Sequence, residues 1–242
     1  MILTLDVGNT NIHIGVYQNE KLIRVDLMKT QKYFDKSLFR KLFHKYDIEC
    51  VGIASVVPAL NRNLSRYFEK KHNIKPLFVG PKLHLPVKIA YKTLGADRIA
   101  NISAGFFRYH TDFIIFAFGT AITGDVVSKK GIHLGGMIMP GIETQLWSLN
   151  QRTSLVKCTS LSARTSYLGK NTCECVQSGI FCGIMFSIQG FIKKFGEENR
   201  YKVIATGGWG RKMTRVIPEI DRYDPDLTLY GIVKLCHYNA QE

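Results

Sequence analysis

The sequence predicts an α/β protein built from two halves that share one plan. Three observations carry this. The chain opens with short period-two strands joined by polar turns, after which strands alternate with helical stretches. Near residue 112 the opening plan begins again, with an apolar strand, a Gly-Thr turn, a second strand and a hairpin. The 242 residues give room for one large or two modest domains with a sizeable core.

Ile2 to Leu5 is a run of strand formers that ends at Asp6-Val7-Gly8-Asn9-Thr10-Asn11. Ile12, Ile14 and Val16 then alternate with His13, Gly15 and Tyr17, which predicts a second strand, and Leu22 to Val25 a third. Leu38, Phe39, Leu42, Phe43 and Tyr46 fall on one face of a helix, with Lys36, Arg40, Lys41 and Lys45 elsewhere. Val51 to Val57 reads as a buried strand, Asn61 to Lys71 as a helix opened by Pro58, and Pro76 to Val79 as another strand. A helix over Ala96 to Tyr109 closes the first half, so the division falls there, giving domains of 1–108 and 109–242. In the second half Asp112 to Phe118, Asp125 to Ser128, Ile132 to Leu134 and Val203 to Ala205 read as strands. Gly8-Asn9-Thr10 and Gly119-Thr120 occupy corresponding places, a weak internal repeat whose two loops, facing each other, would form a cleft.

The composition is that of an ordinary globular protein, 45% hydrophobic and 21% charged, which excludes disorder as the starting expectation. The start lacks a basic region followed by an apolar core, so no secretory signal is expected. Cys175 to Ile192 is uncharged and about long enough to span a membrane, yet it holds Gln177, Ser178, Ser187, Gln189 and several glycines. It is expected to be a buried helix or one packed against a partner subunit. The six cysteines form no CxxC pair, which predicts reduced structural thiols. The net charge of +14 is spread over Lys29 to Lys45, Lys70 to Lys82 and Arg211 to Arg222, without one dense block and interleaved aromatics. Nucleic-acid binding is therefore not expected, and anionic ligands account for a modest part of the charge.

A strand ending in Asp6, followed by Gly8 and Thr10, suits phosphate and metal: the glycine lets backbone N–H groups approach an anion, and the carboxylate can serve Mg²⁺. Alone, the same residues make a good hairpin turn. Gly119-Thr120-Ala121-Ile122-Thr123 and Ala205-Thr206-Gly207-Gly208 are two further glycine turns, each ambiguous alone. Asp97 beside Arg98 fits an acceptor that has both a hydroxyl and a carboxylate, and equally an ordinary ion pair at a helix start.

The ordered set resembles the superfamily of actin, sugar kinases and heat-shock chaperone ATPases, and within it the type III pantothenate kinases. The motifs are Asp6-Val7-Gly8-Asn9-Thr10-Asn11, Leu94-Gly95-Ala96-Asp97-Arg98, Phe118-Gly119-Thr120-Ala121, Leu134-Gly135-Gly136 to Pro140-Gly141, Gly169-Lys170-Asn171-Thr172 to Gln177-Ser178-Gly179, Ala205-Thr206-Gly207-Gly208 and Asp226-Leu227-Thr228-Leu229. The resemblance implies two RNase-H-like (actin-like ATPase) domains with a nucleotide cleft between them, and a cytoplasmic homodimer with no membrane association. It implies ATP-dependent phosphorylation of pantothenate to 4′-phosphopantothenate, the first step of coenzyme A synthesis.

Residue by residue, Asp6, Val7, Gly8, Asn9, Thr10, Asn11, Ile12 and His13 would form the first ATP loop, with Asp6 serving Mg²⁺ through water, and Thr120 would contact the phosphates. Gly95, Ala96, Asp97 and Arg98 would hold pantothenate, with Asp97 as general base. Tyr91 and Thr172 would complete the acceptor pocket, Thr172 from a second subunit.

Two departures stand out. The family usually has Asp where this chain has Ala117, and that Asp binds an activating monovalent cation, K⁺ or NH₄⁺. Lys129 or another cationic group is a stand-in for that charge. The stretch from Tyr91 to Gly95 lacks the Pro-containing turn commonly placed before Gly-Ala-Asp-Arg, which bears on where Tyr91 lies. The alternative reading is a catalytically weak, regulatory member of the same family.

Overall fold

A computed structural model describes residues 1–31, 36–159, 161, 166–196 and 201–240. The chain forms two compact units. The first comprises Met1–His110, Gly131–His133 and the C-terminal segment from Asp226; the second comprises Thr111–Lys130 and Leu134–Pro225.

The first unit holds a five-stranded sheet in the order β3-β2-β1-β4-β5. Its strands are β1 (Ile2–Val7), β2 (Asn11–Gln18), β3 (Lys21–Lys29), β4 (Cys50–Ser55) and β5 (Leu77–Phe78). β1 runs antiparallel to β2 and parallel to β4. Period-two alternation divides the side chains between two faces. Leu3, Leu5, Val7, Val51 and Ile53 join Phe39 and Leu42 of α1 (Lys36–Lys45) and Leu60, Leu64 and Phe68 of α2 (Pro58–His72) in one buried cluster.

The opposite face is lined by small residues. A methyl added at Gly15 would lie 3.2 Å from Leu229, and one at Gly52 would lie 2.6 Å from the Cys236 sulfur. Both contacts come from α7 (Leu227–Ala240), which therefore lies close on the sheet. α3 (Ala96–Tyr109) crosses α7 where Gly231 meets the Ala100 backbone, and Thr228 Oγ1 donates to Asn101 Oδ1 at 2.8 Å. At the far end of the unit Lys234 and His237 of α7 hold the Glu20 carboxyl below its ordinary value, the Lys234 bond being 2.7 Å.

The second unit repeats this arrangement. Its strands are β6 (Phe113–Phe118), β7 (Ala121–Val127), β8 (His133–Pro140), β9 (Lys202–Thr206) and β10 (Arg222–Tyr223), in the order β10-β9-β6-β7-β8. Read from β8, that is the order of the first sheet, with β6 antiparallel to β7 and parallel to β9. The core is formed by Ile114, Phe116 and Phe118 with Ile142 of α4 (Ile142–Arg152), Ile180, Phe181, Ile184 and Ile188 of α5 (Thr172–Gly196) and Met213 of α6 (Gly210–Val216).

α5 contains the uncharged run, and it is long and apolar enough to cross a membrane by length and composition, with a mean hydropathy of 1.5. Only 28% of it is buried, so the sheet covers one side and leaves Phe186 exposed. The expectation of reduced thiols is corrected at one pair: Cys158 and Cys173 are joined in a disulfide. Sequence spacing did not signal it, because the pair is brought together by the packing of the segment after α4 on the first turn of α5. Cys50, Cys175, Cys182 and Cys236 are free thiols.

Candidate active site

The first unit brings two of the expected motifs to one edge of its sheet. β1 and β4 are parallel, so their carboxyl ends lie together. At that edge the turn after β1 is closed by the Gly8 N–H donating to the Asn11 carbonyl at 3.0 Å. A side chain at residue 8 would press on that same carbonyl, which explains the glycine. Thr30, just after β3, braces the loop: its hydroxyl donates to the Gly8 carbonyl at 2.6 Å and its N–H to the Thr10 carbonyl at 2.9 Å. Asn9, Thr10 and His13 are exposed, whereas Val7 and Ile12 are in the core and can offer a ligand only their backbone. His13 faces Asp6 across the ladder, Nδ1 to Oδ2 3.7 Å.

The Gly95–Arg98 motif arrives at the same edge. The Val56 N–H donates to the Val7 carbonyl at 3.0 Å, and a methyl on Gly95 would lie 3.8 Å from Val56. Gly95 is the N-cap of α3, in extended conformation, with the Ile99 N–H donating to its carbonyl at 2.9 Å. Asp97 stands in the first turn, where the positive end of the helix favours a carboxylate, and it accepts the Arg98 N–H at 2.8 Å. Arg98 is 4% exposed, and its Nη1 donates to the Tyr91 hydroxyl at 2.7 Å. Tyr91 thus remains joined to the motif despite the shortened connection.

What holds Tyr91 was not read from the sequence. His133, 2% exposed, lies with its ring 6.1 Å from that of Tyr91 and accepts the Ala90 N–H on Nδ1 at 3.4 Å. Two backbone bonds fix it there, Lys88 N–H to the Gly131 carbonyl at 2.8 Å and His133 N–H to the Lys88 carbonyl at 3.0 Å. The histidine is more than forty residues from Tyr91 in the chain, so no local signal marks the pair.

In the second unit the remaining glycine turns converge. The Gly119 N–H donates to the Ala121 carbonyl at 3.0 Å, closing a turn one residue shorter at the place corresponding to Gly8. Gly141, the N-cap of α4, donates its N–H to the Thr120 carbonyl at 2.9 Å, and Thr144 Oγ1 donates to the same carbonyl at 2.6 Å. Gly207, at φ +85°, passes against the Phe118 backbone, where a methyl would meet the carbonyl oxygen at 2.6 Å. Thr120 itself is exposed, next to the start of α4, whose unpaired N–H groups suit an anion.

Thr172 opens α5. Asn171 caps that helix by accepting the Glu174 N–H at 3.0 Å, and Glu174 reaches back to the N–H of Lys170, the residue before the cap, at 2.7 Å. Gly169 passes so close to the Glu174–Cys175 backbone that no side chain fits. Thr172 lines a groove of about 400 Å³ between α4 and α5, with Gln145, Leu149, Val156 and Cys175 among its walls.

Ala117 pairs with Thr123 on β7 and Thr206 on β9. Lys129 is no stand-in for the missing carboxylate's cation. It follows β7 at the other end of β6, its N–H on Asp112 Oδ1 at 2.8 Å, five residues and roughly 16 Å of strand from Ala117.

Comparison with known proteins gives these motifs a common origin. A family model described as type III pantothenate kinase matches residues 2–194. A type III pantothenate kinase of Citrifermentans bemidjiense is 36% identical over 247 residues, covering 96% of this chain and 97% of its own. Among solved structures, a candidate Baf family transcriptional activator from Campylobacter jejuni has a TM-score of 0.65 at 23% identity, over 99% of this chain and 100% of that one. A ROK family glucokinase from Streptomyces griseus, solved with glucose and AMPPNP, has a TM-score of 0.57 at 12% identity, over 99% and 100%. These two likenesses show the fold, that of the sugar kinases and actin-like ATPases. With the model spanning most of the sequence and a curated relative aligned over nearly all of it, the chain belongs to the type III pantothenate kinase family.

Proposed function

We propose that this kinase transfers the γ-phosphoryl group of ATP to the hydroxyl of pantothenate, forming ADP and 4′-phosphopantothenate. The observation that carries the reading is Asp97, held in the first turn of α3 beside buried Arg98, at the sheet edge from which the Asp6–Gly8 loop emerges. Phosphoryl transfer depends on positioning and charge stabilisation more than on covalent help. Asp97 takes the hydroxyl proton, Arg98 pairs with the acid end of the acceptor, and Tyr91 lines the pocket. The Asp6–His13 loop and Thr120 bind ATP phosphates through backbone N–H groups and hydroxyls.

Mg²⁺ fits the residues present. Among the described residues no cluster of three acidic, His or Cys side chains exists, but Mg²⁺ commonly uses one carboxylate with phosphates and waters, and Asp6 supplies one. The ion would neutralise phosphate charge. A monovalent cation held by a side chain at position 117 does not fit, since alanine has no ligand oxygen, and turnover is expected to be independent of K⁺ and NH₄⁺.

A homodimer is part of the proposal. Trp147 on α4 and Phe186 on α5 are 64% and 56% exposed, and the Thr172 groove lies between those helices. A cytoplasmic location is part of the same proposal, and the Cys158–Cys173 link is at odds with a reducing compartment. The regulatory alternative is not favoured by the family relationship.

The test is pantothenate- and Mg²⁺-dependent ADP release from purified protein, with and without K⁺, beside Asp97→Asn. The variant should lose roughly 10²–10⁴-fold in kcat while staying folded. Turnover retained in Asp97→Asn removes the base assignment; no turnover in the parent protein under any ion condition removes the kinase reading.

A further inference from the structure

Basic residues that lie apart in the sequence are brought side by side by the fold on two helices. In α1 Phe39 and Leu42 are buried, while Lys36, Arg40, Lys41 and Lys45 are all exposed. In α2 Leu60, Leu64, Tyr67 and Phe68 are buried, while Arg62, Arg66 and Lys70 form an exposed row at four-residue spacing, flanked by Lys71. The helices pack directly on each other: the Phe39 ring lies 6.0 Å from Tyr67 and 5.4 Å from Phe68, and Phe43 stacks on His72 at 3.6 Å. Their solvent faces therefore make one surface.

That surface has nearly one sign. The single carboxylate on the two helices is Glu69, which accepts the Ser65 hydroxyl at 2.6 Å. Among the described residues none of the eight Lys and Arg side chains forms an ion pair. Eight like charges held together repel one another, and a polyanion that neutralises several of them at once also releases its own counterions. The helices expose no large apolar side chain. An anionic membrane surface is held by helices with an apolar face to insert, and single strands by exposed aromatic rings, and neither is present here.

We propose that the α1/α2 face binds the phosphate backbone of a nucleic-acid duplex without reading its sequence. The site is separate from the kinase residues, and the proposal stands whether or not the acceptor is pantothenate.

The test is anisotropy of a labelled 20-base-pair DNA duplex titrated with the whole protein between 50 and 200 mM salt. Binding should weaken with salt, log K against log[salt] having a slope of roughly −4.5 for about five phosphate contacts. The triple variant Arg62→Glu, Arg66→Glu, Lys70→Glu should lose at least about 100-fold in affinity at 50 mM salt and keep its ATPase-coupled turnover. Should that variant misfold by circular dichroism, Lys36→Glu with Arg40→Glu and Lys41→Glu asks the same question on α1. Lys129→Glu, Lys130→Glu, Arg215→Glu makes the same change in net charge elsewhere and should lose far less. Equal loss in that control, unchanged binding in the face variants, or tighter binding to phosphatidylserine vesicles than to the duplex overturns the proposal.

Discussion

At Gly95 the absent side chain is what leaves Asp97 its place. A methyl there would lie 2.6 Å from Asp97 Oδ1, nearer than a real Cβ sits to any atom, so the carboxylate would have to rotate or the helix start would have to shift. A proton acceptor misplaced by about 1 Å can cost on the order of 10²-fold in rate. Gly95→Ala is therefore expected to lower kcat about 10- to 100-fold with little change in KM for ATP or in thermal stability. Steady-state kinetics decide it, and an unchanged kcat would mean that Asp97 tolerates the displacement. The residue types at 95 to 98 were legible in the sequence, but only as an ion pair at a helix start until the surrounding motifs lifted them. His133 and Thr30 were not legible, because each acts on a loop far from it in the chain through one or two hydrogen bonds.

Among the elements, α3 and α7 show how a close helix crossing is built and what it costs to disturb. Gly231 lies against the Ala100 backbone, so that an added methyl would sit 2.7 Å from the carbonyl carbon. Gly→Ala inside a helix ordinarily stabilises by roughly 0.5–1 kcal/mol. Here the obstacle is backbone, which cannot rotate away, and overpacking of about 1–3 kcal/mol outweighs that gain. Gly231→Ala is expected to lower Tm by roughly 2–8 °C, measured by calorimetry, and since α3 carries Asp97 and Arg98, turnover should fall as well. A raised Tm would show that α7 moves off freely. The helix α1 was legible from its one-sided apolar spacing, α2 from the proline that opens it, and α3 only as a helical stretch, since Arg98 to Gly105 are all buried. α7 was not, because Leu229, Ile232, Val233, Leu235 and Cys236 are all buried, between the sheet on one side and α3 on the other, and a helix covered nearly all round has no stripe to read. β8 was longer than expected for a different reason: its alternation of exposed Leu134 and Ile138 with glycines and methionines weakens the strand signal.

For the whole molecule, the repeated five-strand order was visible in the sequence as two turns at matching places, and the structure extends it to every strand of both sheets. What the single chain does not explain is the apolar surface of its second unit. Trp147, Tyr167, Leu168 and Phe186 are each more than half exposed, with the Tyr167 ring stacked 6.1 Å from Phe186, and patches of this kind mark contact surfaces. The second copy proposed above would also account for Thr172, which opens onto the groove beside them. Phe186→Glu or Trp147→Glu places a charge in that surface and is expected to give a monomer by light scattering at concentrations where the parent is a dimer. If Thr172 serves the acceptor site of the other copy, the monomer should show a KM for pantothenate raised at least about tenfold, the loss of one hydrogen-bonded partner, with ATP affinity nearly unchanged. A parent protein that is already monomeric at full activity would sink the shared site, and a monomeric variant with an unchanged KM would leave the dimer standing and remove Thr172 from the acceptor pocket.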